Sequence, residues 1–222
     1  MEIIIVDGLS SDSTLEKLIP IVENRQNITI CSEKDFGIYD ALNKGIEMAT
    51  GDIIGFVHSD DLLNHKNVLS EIKNMFISTN ADGIYGDLEY IDQIDTNKII
   101  RYWKSCSFHK KLLKKGWSPP HPTLFLKKSV YKKHGYFNLN YKISSDYDFM
   151  LRIFKDTELS FEYLPKVITR MRVGGVSNKN LKNIFLKTFE DYKAIRKNKI
   201  GSLGTLVRKN LSKIKQFFQR KN

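Results

Sequence analysis

Acidic residues come shortly after two apolar runs of the sequence, a placement that is typical of a ligand site. Asp7 follows residues 3–6, and Asp60 and Asp61 lie just beyond residues 53–57. Both runs predict buried strands, and open α/β sheets bind ligands at the carboxyl ends of their strands. A carboxylate pair there suffers desolvation and repulsion, which Mg²⁺ or Mn²⁺ would relieve while sharing its other positions with substrate phosphates. The alternative is that Asp60 caps the following helix and Asp61 faces water.

For a third acidic cluster and for one histidine, the sequence is compatible with either a functional or a structural role. Asp146 and Asp148 begin a predicted helix, where N-capping and the helix dipole are sufficient structural reasons for them. His121 lies between Pro120 and Pro122. Such a proline frame holds a side chain at a site, and it is equally typical of a packing turn. The other histidines lack zinc-type spacing, so no histidine metal site is predicted.

The elements that must position these residues alternate between strand and helix. Apolar runs predict strands that begin at Glu2, Ile28, Ile53 and Ile84. Segments with apolar residues three and four apart separate them and predict helices. Later residues predict a hairpin turn at 93–98, a helix at 146–155 and two strands at 161–164 and 167–171. This order predicts an α/β fold with a mostly parallel sheet and helices on both faces.

Composition indicates an ordinary globular chain with a basic end. The 222 residues are 41% hydrophobic and carry a formal charge of +11, which favours anionic partners. No known nucleic-acid motif is found, so nucleic acid is not an expected partner. Two cysteines without metal spacing fit a cytosolic compartment. No stretch reaches the roughly 20 apolar residues of a membrane-spanning helix.

From Gly201 onward the chain has six Lys or Arg and no Asp or Glu. Apolar residues recur there at spacings of three and four, which predicts a basic amphipathic helix; they are Leu203, Leu206, Val207, Leu211, Ile214, Phe217 and Phe218. One interpretation is a contact with anionic lipid at a membrane surface. The alternative is a helix that packs its apolar stripe on the rest of the protein.

Seven motifs in order resemble family 2 glycosyltransferases, above all bacterial enzymes that build exopolysaccharide, colanic-acid-like and lipopolysaccharide chains. The motifs are residues 3–14, 32–45, 49–61, 85–87, 120–123, 145–152 and 174–177. The resemblance covers about residues 1–178. We therefore divide the chain into a catalytic domain at 1–178 and a basic amphipathic tail at 179–222.

The resemblance implies a GT-A-like fold and inverting transfer from a nucleotide-diphosphate-sugar donor. It implies that Asp7 contacts the nucleotide base. Asp60 would bind the metal that bridges the donor diphosphate, with Asp61 beside it. Asp146 would be the general base that deprotonates the acceptor hydroxyl. It also suggests donor contacts for Asn43 and Lys44.

On the acceptor side, the resemblance suggests His121 and Asp148. It implies a saccharide or lipid-linked acceptor, and such enzymes act at the cytoplasmic face of the cell membrane. A peripheral contact with anionic membrane is therefore expected, and the basic amphipathic helix suits it. The function expected from the sequence is sugar transfer in cell-surface polysaccharide biosynthesis.

Two departures from the family pattern matter. His58 stands where the family often has Asp or Asn, so the metal motif lacks its leading acid. The family also begins with a strand ending in Pro-x-Tyr-Asn and a helix, about 30 residues that are absent before Glu2. The sequence therefore predicts a chain that lacks a central strand and is unstable or inactive as given. The alternative function is a non-catalytic remnant, or a partner of a complete glycosyltransferase.

Overall fold

The computed structural model describes residues 1–174 and 181–215, which form eight strands and seven α-helices among other segments. The strands are β1 (Ile3–Asp7), β2 (Ile28–Ser32), β3 (Ile53–Ile54), β4 (Asp61–Leu63), β5 (Gly83–Ile91), β6 (Ile99–Trp103), β7 (Phe125–Lys127) and β8 (Phe161–Arg172). The helices are α1 (Thr14–Val22), α2 (Ile38–Met48), α3 (Val68–Thr79), α4 (Lys128–His134), α5 (Ser145–Phe154), α6 (Leu181–Lys197) and α7 (Leu203–Lys215). Short 3-10 helices occupy Lys110–Lys115 and His121–Thr123.

The strands form two sheets. β1 and β2 pair in parallel as a separate two-stranded sheet. The second sheet has the order β3-β7-β5-β8-β4, with β6 added to β5. In it β5 and β8 are parallel, and the other four pairings are antiparallel.

The expected mostly parallel sheet is therefore mixed in the structure. The expected hairpin between residues 93 and 98 is present, and it places β6 antiparallel to β5. β7 enters between β3 and β5 in the opposite direction to both. The sheet is divided because no strand within 1–174 and 181–215 pairs with the second edge of β1.

Two predicted strands have different bounds in the structure. β3 ends at Ile54 rather than residue 57, because Gly55 lies against the ring of Phe125. A Cβ at Gly55 would lie 2.1 Å from that ring. The two late strands are one strand, β8, whose pairing with β5 is irregular around Pro165. Pro165 has no backbone N–H to give to the ladder, which accounts for the irregularity.

The larger hydrophobic core lies around α5, where Phe149 and Ile153 are fully buried. Ala194 and Ile195 of α6 and Leu206 of α7 belong to the same cluster. Of the predicted apolar stripe, Leu206 packs in this cluster, whereas Leu203, Val207 and Leu211 are exposed, so the packing alternative holds for Leu206 alone among these four. Gly175–Ser177 of the last motif, and Phe217 and Phe218 of the predicted stripe, lie outside the described residues.

Candidate active site

Asp60 lies in the turn that precedes β4, and Asp61 is the first residue of β4. The Asp61 backbone N–H donates to the His58 carbonyl at 2.9 Å, which closes the turn. Asp60 is exposed, whereas Asp61 is only 6% exposed because it pairs with Met171 of β8. The alternative in which Asp60 caps a helix and Asp61 faces water is therefore wrong, since a strand follows and it holds Asp61 inside.

The Asp61 carboxylate is buried without compensation from the protein. Its Oδ2 atom has no hydrogen-bond partner among the described residues. Burial, and next the adjacent charge of Asp60, raise the pKa of Asp61 to about 7. A buried carboxylate oxygen without a partner, next to an exposed carboxylate, fits a hard divalent cation.

Residues 1–174 and 181–215 contain no group of three or more His, Cys, Asp or Glu side chains arranged as a metal site. The turn therefore differs from a closed protein cage, in which side chains supply every ligand. One or two carboxylates are the usual protein share when Mg²⁺ or a similar ion is bound together with phosphates. Asp60 and Asp61 fit that mode of binding.

Asp146 lies in the first turn of α5 and is half-buried. The Tyr39 hydroxyl from α2 is 3.1 Å from Asp146 Oδ1 and 2.5 Å from the carbonyl oxygen of Ile143. Neither Asp146 nor Asp148 is the N-cap, because that position belongs to Ser144, whose side chain makes no capping bond. The carboxylates still benefit from the helix dipole.

The two acidic sites lie around one imidazole, that of His58. Burial lowers the pKa of His58 to about 4, with a smaller contribution in the same direction from His121. Asp146 and Asp60 both act on this imidazole in the opposite direction. Ring contacts link the two sites: His58, two residues before Asp60, lies 6.0 Å from His121 by ring centroids, and His121 lies 5.5 Å from Phe137. The Phe137 ring lies 5.7 Å from Tyr39, whose hydroxyl is 3.1 Å from Asp146 Oδ1, so this shared region is the candidate cleft.

His121 borders the same cleft and belongs to a cluster of aromatic rings. It is 9% exposed, and its ring centroid lies 5.5 Å from that of Phe137, 5.8 Å from that of Phe56 and 6.0 Å from that of His58. Burial lowers the pKa of His121, which favours the neutral imidazole. His121 therefore packs as a core residue and also adjoins His58.

Asp7 lies at the end of β1, and its hydrogen bonds favour the ionised carboxylate. It accepts hydrogen bonds from the Ser32 hydroxyl at 2.7 Å, from the Ser10 backbone N–H at 3.1 Å and from the Ser10 hydroxyl. The hydroxyls of Ser10 and Ser32 lower its pKa. Asp35 approaches from beyond β2, so closely that a Cβ at Gly8 would lie 2.3 Å from its Oδ2 atom. Asp35 follows a predicted strand, as Asp7 does, but was not among the predicted site residues.

The two predicted donor contacts on α2 have partners within the protein. Asn43 donates to the Phe137 carbonyl and accepts from the Phe137 N–H, both at 2.9 Å. Lys44 lies 2.9 Å from Glu33 and 3.6 Å from Asp40, and Glu33 is the main reason that its pKa is raised. Contacts of Asn43 and Lys44 with a donor remain predictions.

The acceptor-side prediction for Asp148 is wrong in this structure. Its side chain is fully buried, with Arg152 Nε at 3.2 Å and Asn198 Nδ2 at 2.9 Å. Asp148 and Asp146 differ in this way because residues two apart on a helix point in different directions. The helical spacing therefore directs only one of these two aspartates to the cleft.

Sequence reasoning missed Glu190, which lies on α6 and is 5% exposed. Its carboxylate accepts hydrogen bonds from the backbone N–H groups of residues 142, 143 and 144, immediately before α5. Glu190 belongs to no motif, and its position in an amphipathic helix gives no sign of a distant partner. Tyr39 lies within the motif at residues 32–45 but was not among the predicted site residues.

An α/β fold that brings a strand-end carboxylate pair and a helix-start carboxylate around one cleft is the arrangement of a GT-A-like glycosyltransferase. The sequence model described as glycosyl transferase family 2 matches residues 1–137. The chain belongs to this family, and the predicted GT-A-like fold is confirmed.

Relatives and solved structures agree with this assignment. The chain is 30% identical over 188 residues to the PGL/p-HBAD biosynthesis glycosyltransferase of Mycobacterium bovis, covering 84% of this chain and 71% of the relative. Its fold is similar to that of S. aureus TarS 1-349 in complex with UDP-GlcNAc, with a TM-score of 0.66 at 17% identity. The mannosyltransferase PcManGT from Pyrobaculum calidifontis, in complex with GDP-Man and Mn²⁺, gives a TM-score of 0.59 at 15% identity.

The two solved structures are longer than the chain. The match covers 89% of this chain and 56% of the TarS chain, and 88% of this chain and 54% of PcManGT. The chain thus spans slightly more than half of each solved structure.

The raised pKa of Asp61 predicts a pH-dependent stability. The carboxyl loses its proton near pH 3.8 when unfolded and near pH 7 when folded, so folding becomes less favourable as pH rises between these values. We expect Asp61→Asn, compared with wild type in metal-free buffer, to gain relative stability on going from pH 4 to pH 8. Thermal unfolding at both pH values measures this gain.

Asp52→Asn, at an exposed position, controls for the loss of one negative charge. Adding Mn²⁺ at pH 8 should raise the melting temperature of wild type more than that of Asp61→Asn, because the cation relieves the buried charge. A stability difference between Asp61→Asn and wild type that is the same at pH 4 and pH 8 would contradict the assigned burial.

Proposed function

We propose that this protein transfers a sugar from a nucleotide-diphosphate-sugar to a hydroxyl of a saccharide or lipid-linked acceptor, with inversion and with a divalent cation. The observation that carries the proposal is the set of ring contacts that runs from His58, two residues before Asp60, through His121 and Phe137 to Tyr39, whose hydroxyl lies 3.1 Å from Asp146 Oδ1. A single cleft bordered by both has one carboxylate for the phosphate-bound cation and another for the acceptor proton. Membership of family 2 supports the same reaction class.

Asp146 acts in this proposal as the general base. Its half-buried carboxylate accepts the proton of the acceptor hydroxyl while that oxygen attacks the sugar, so the nucleophile forms only as it is needed. Tyr39 lies 3.1 Å from Asp146 Oδ1 and limits how far the carboxylate rotates. One displacement without an enzyme-bound sugar inverts the reacting carbon.

Asp60 and Asp61 are the residues that would hold Mn²⁺ or Mg²⁺. When bound, the cation neutralises the charge that develops on the departing nucleoside diphosphate. The buried imidazole of His121 packs against the rings of Phe56 and Phe137 on one side of the cleft. Asp7, ionised at the end of β1, would accept hydrogen bonds from the nucleotide base.

A donor screen tests the proposal directly. The purified chain is heated with UDP-, GDP- and dTDP-sugars, each with and without Mn²⁺. We expect one nucleotide to raise the melting temperature, and only with the cation, because donor and metal share the Asp60 turn. TarS complexes with UDP-GlcNAc and a PcManGT complex with GDP-Man and Mn²⁺ motivate the choice of probes.

No stabilisation by any nucleotide would contradict the proposal and would favour a non-catalytic partner of another glycosyltransferase. A positive screen then identifies the donor for transfer assays with saccharide and lipid-linked acceptors. Because Cys31 and Cys106 form no disulfide in the structure, the assays are run under reducing conditions.

We further propose that the protein acts at the cytoplasmic face of the membrane, in cell-surface polysaccharide biosynthesis, through its basic end. No helix within 1–174 and 181–215 is long and apolar enough to cross a bilayer. Lys114, Arg196, Lys199 and Arg208 line one surface depression. Phe185 and Phe189 on α6, and Val207 and Leu211 on α7, are exposed apolar residues one helical turn apart. Cations attract anionic headgroups, and exposed apolar side chains enter the interface.

Vesicle co-sedimentation tests this part of the proposal. We expect binding to vesicles with anionic lipid and none to neutral vesicles, because each basic residue near the surface contributes ~1 kcal/mol. Changing Arg196, Lys199 and Arg208 to Glu together should abolish binding. The matched control changes the exposed Lys17, Lys66 and Lys73 to Glu and should bind better than the first variant. Equal binding by both variants would contradict the proposed membrane contact.

A further inference from the structure

The loop immediately before α5 is held by a buried carboxylate from another part of the chain. Glu190 Oε1 accepts the Lys142 N–H at 2.8 Å, and Oε2 accepts the N–H groups of Ile143 at 2.8 Å and Ser144 at 2.9 Å. Glu190 is 5% exposed. Three consecutive N–H groups thus converge on one side chain that is 46 to 48 residues away in sequence.

Glu190 binds the N–H groups of the N-cap residue of α5 and of the two residues before it, and so places a carboxylate at the start of this helix. The N-cap Ser144 makes no side-chain capping bond. The first N–H groups of a helix need partners from outside the helix, and a negative charge at this end is favoured by the helix dipole. Charge-assisted bonds of this kind are shorter and stronger than neutral ones. Glu190 therefore fixes the residues that lead directly into α5.

The same loop is held from its other side by α2. The Tyr39 hydroxyl lies 2.5 Å from the Ile143 carbonyl oxygen and 3.1 Å from Asp146 Oδ1. Glu190 and Tyr39 therefore both form hydrogen bonds with the backbone of Ile143. Asp146 follows three residues later, within the first turn of the helix that this loop begins.

We propose that Glu190 is a positioning residue for the general base Asp146, and this inference rests on the proposed function. α6 lies beyond residues 1–137, which the family model matches. The described tail thus contributes to turnover by setting where Asp146 stands in the cleft. It does so without contacting donor or acceptor.

The test compares Glu190→Gln with Glu16→Gln, an exposed position on α1. Glutamine keeps one accepting oxygen but turns an NH₂ group toward backbone N–H groups, which shifts the loop. A displacement of the base by about 1 Å costs up to 10²-fold in rate, so we expect kcat to fall 10- to 100-fold. The donor KM and Mn²⁺-dependent donor binding should stay within about twofold, because the metal turn is on another element. Glu16→Gln should match wild type.

A double-variant cycle separates positioning from general damage to the fold. If Glu190 acts through Asp146, then adding Glu190→Gln to Asp146→Asn lowers turnover no further. If Glu190→Gln fails to fold, then Glu190→Asp keeps the charge but withdraws it by one methylene, and it should show the same loss of kcat at unchanged donor KM.

Three results overturn the inference while wild type remains active. They are a folded Glu190 variant with wild-type kcat, a donor affinity that falls in parallel with kcat, and a further loss in the double variant. Wild-type protein that neither binds nor transfers any donor overturns the proposed function instead, and the positioning inference with it.

Discussion

Replacing Asp146 with asparagine should lower turnover by about 10³-fold, the scale of a lost general base. Asparagine has nearly the same shape and still offers an oxygen to Tyr39, so the cleft keeps its form. It has no negative charge with which to accept the acceptor proton. Donor binding should therefore stay within about twofold of wild type. Initial rates at saturating donor, together with calorimetric donor binding, separate these two effects.

Asp52→Asn is the matched control, because Asp52 is exposed and belongs to neither acidic site. Its turnover should equal that of wild type. Transfer by Asp146→Asn at the wild-type rate would contradict the assignment of the base. A parallel loss of donor binding would show instead that Asp146 belongs to the donor site.

Replacing Asp60 with asparagine should weaken Mn²⁺-dependent donor binding by about 30-fold, or ~2 kcal/mol, the scale of one charged contact. Asp60 is exposed, so the variant should fold with little change in stability. The loss should be confined to measurements with Mn²⁺, because the carboxylate acts through the cation. Titrations of donor with Mn²⁺ and with EDTA provide the comparison.

Asp52→Asn again serves as the control, since it removes one negative charge from an exposed position outside the turn. An Asp60→Asn variant with wild-type donor affinity in Mn²⁺ would show that the turn does not hold the cation. Equal losses in Mn²⁺ and in EDTA would assign Asp60 a direct contact with the donor.

Local patterns predicted the existence of most elements, because apolar spacing reports directly on burial. Residues 28–31 and 146–155 were predicted as a strand and a helix, and β2 and α5 lie there. Pairing directions were not predictable in the same way. β7 has three residues, and its place between β3 and β5 depends on how a long proline-containing segment folds back. A sequence pattern carries no information about that path.

The acidic sites were likewise predicted only in part from the sequence. The apolar run before Asp60 correctly indicated a sheet edge, and the fold linked Asp146 to His58 through Tyr39, Phe137 and His121. Helical position alone did not distinguish Asp146 from Asp148, since both lie in the first turn of one helix. Only the arrangement of Arg152 and Asn198 makes Asp148 a buried structural group. Glu190 was hidden because its three partners are backbone groups, which any residue type presents.

The ladder between β4 and the end of β8 has a consequence for how readily a cation is captured. Asp61, Leu62 and Leu63 pair with Met171, Arg170 and Thr169, so the aspartate turn is anchored to a twelve-residue strand. That strand also pairs with β5 at the centre of the sheet. Under the proposed function, a cation that arrives with its diphosphate would meet a binding site that is already assembled, and little of the binding energy would be consumed in ordering it.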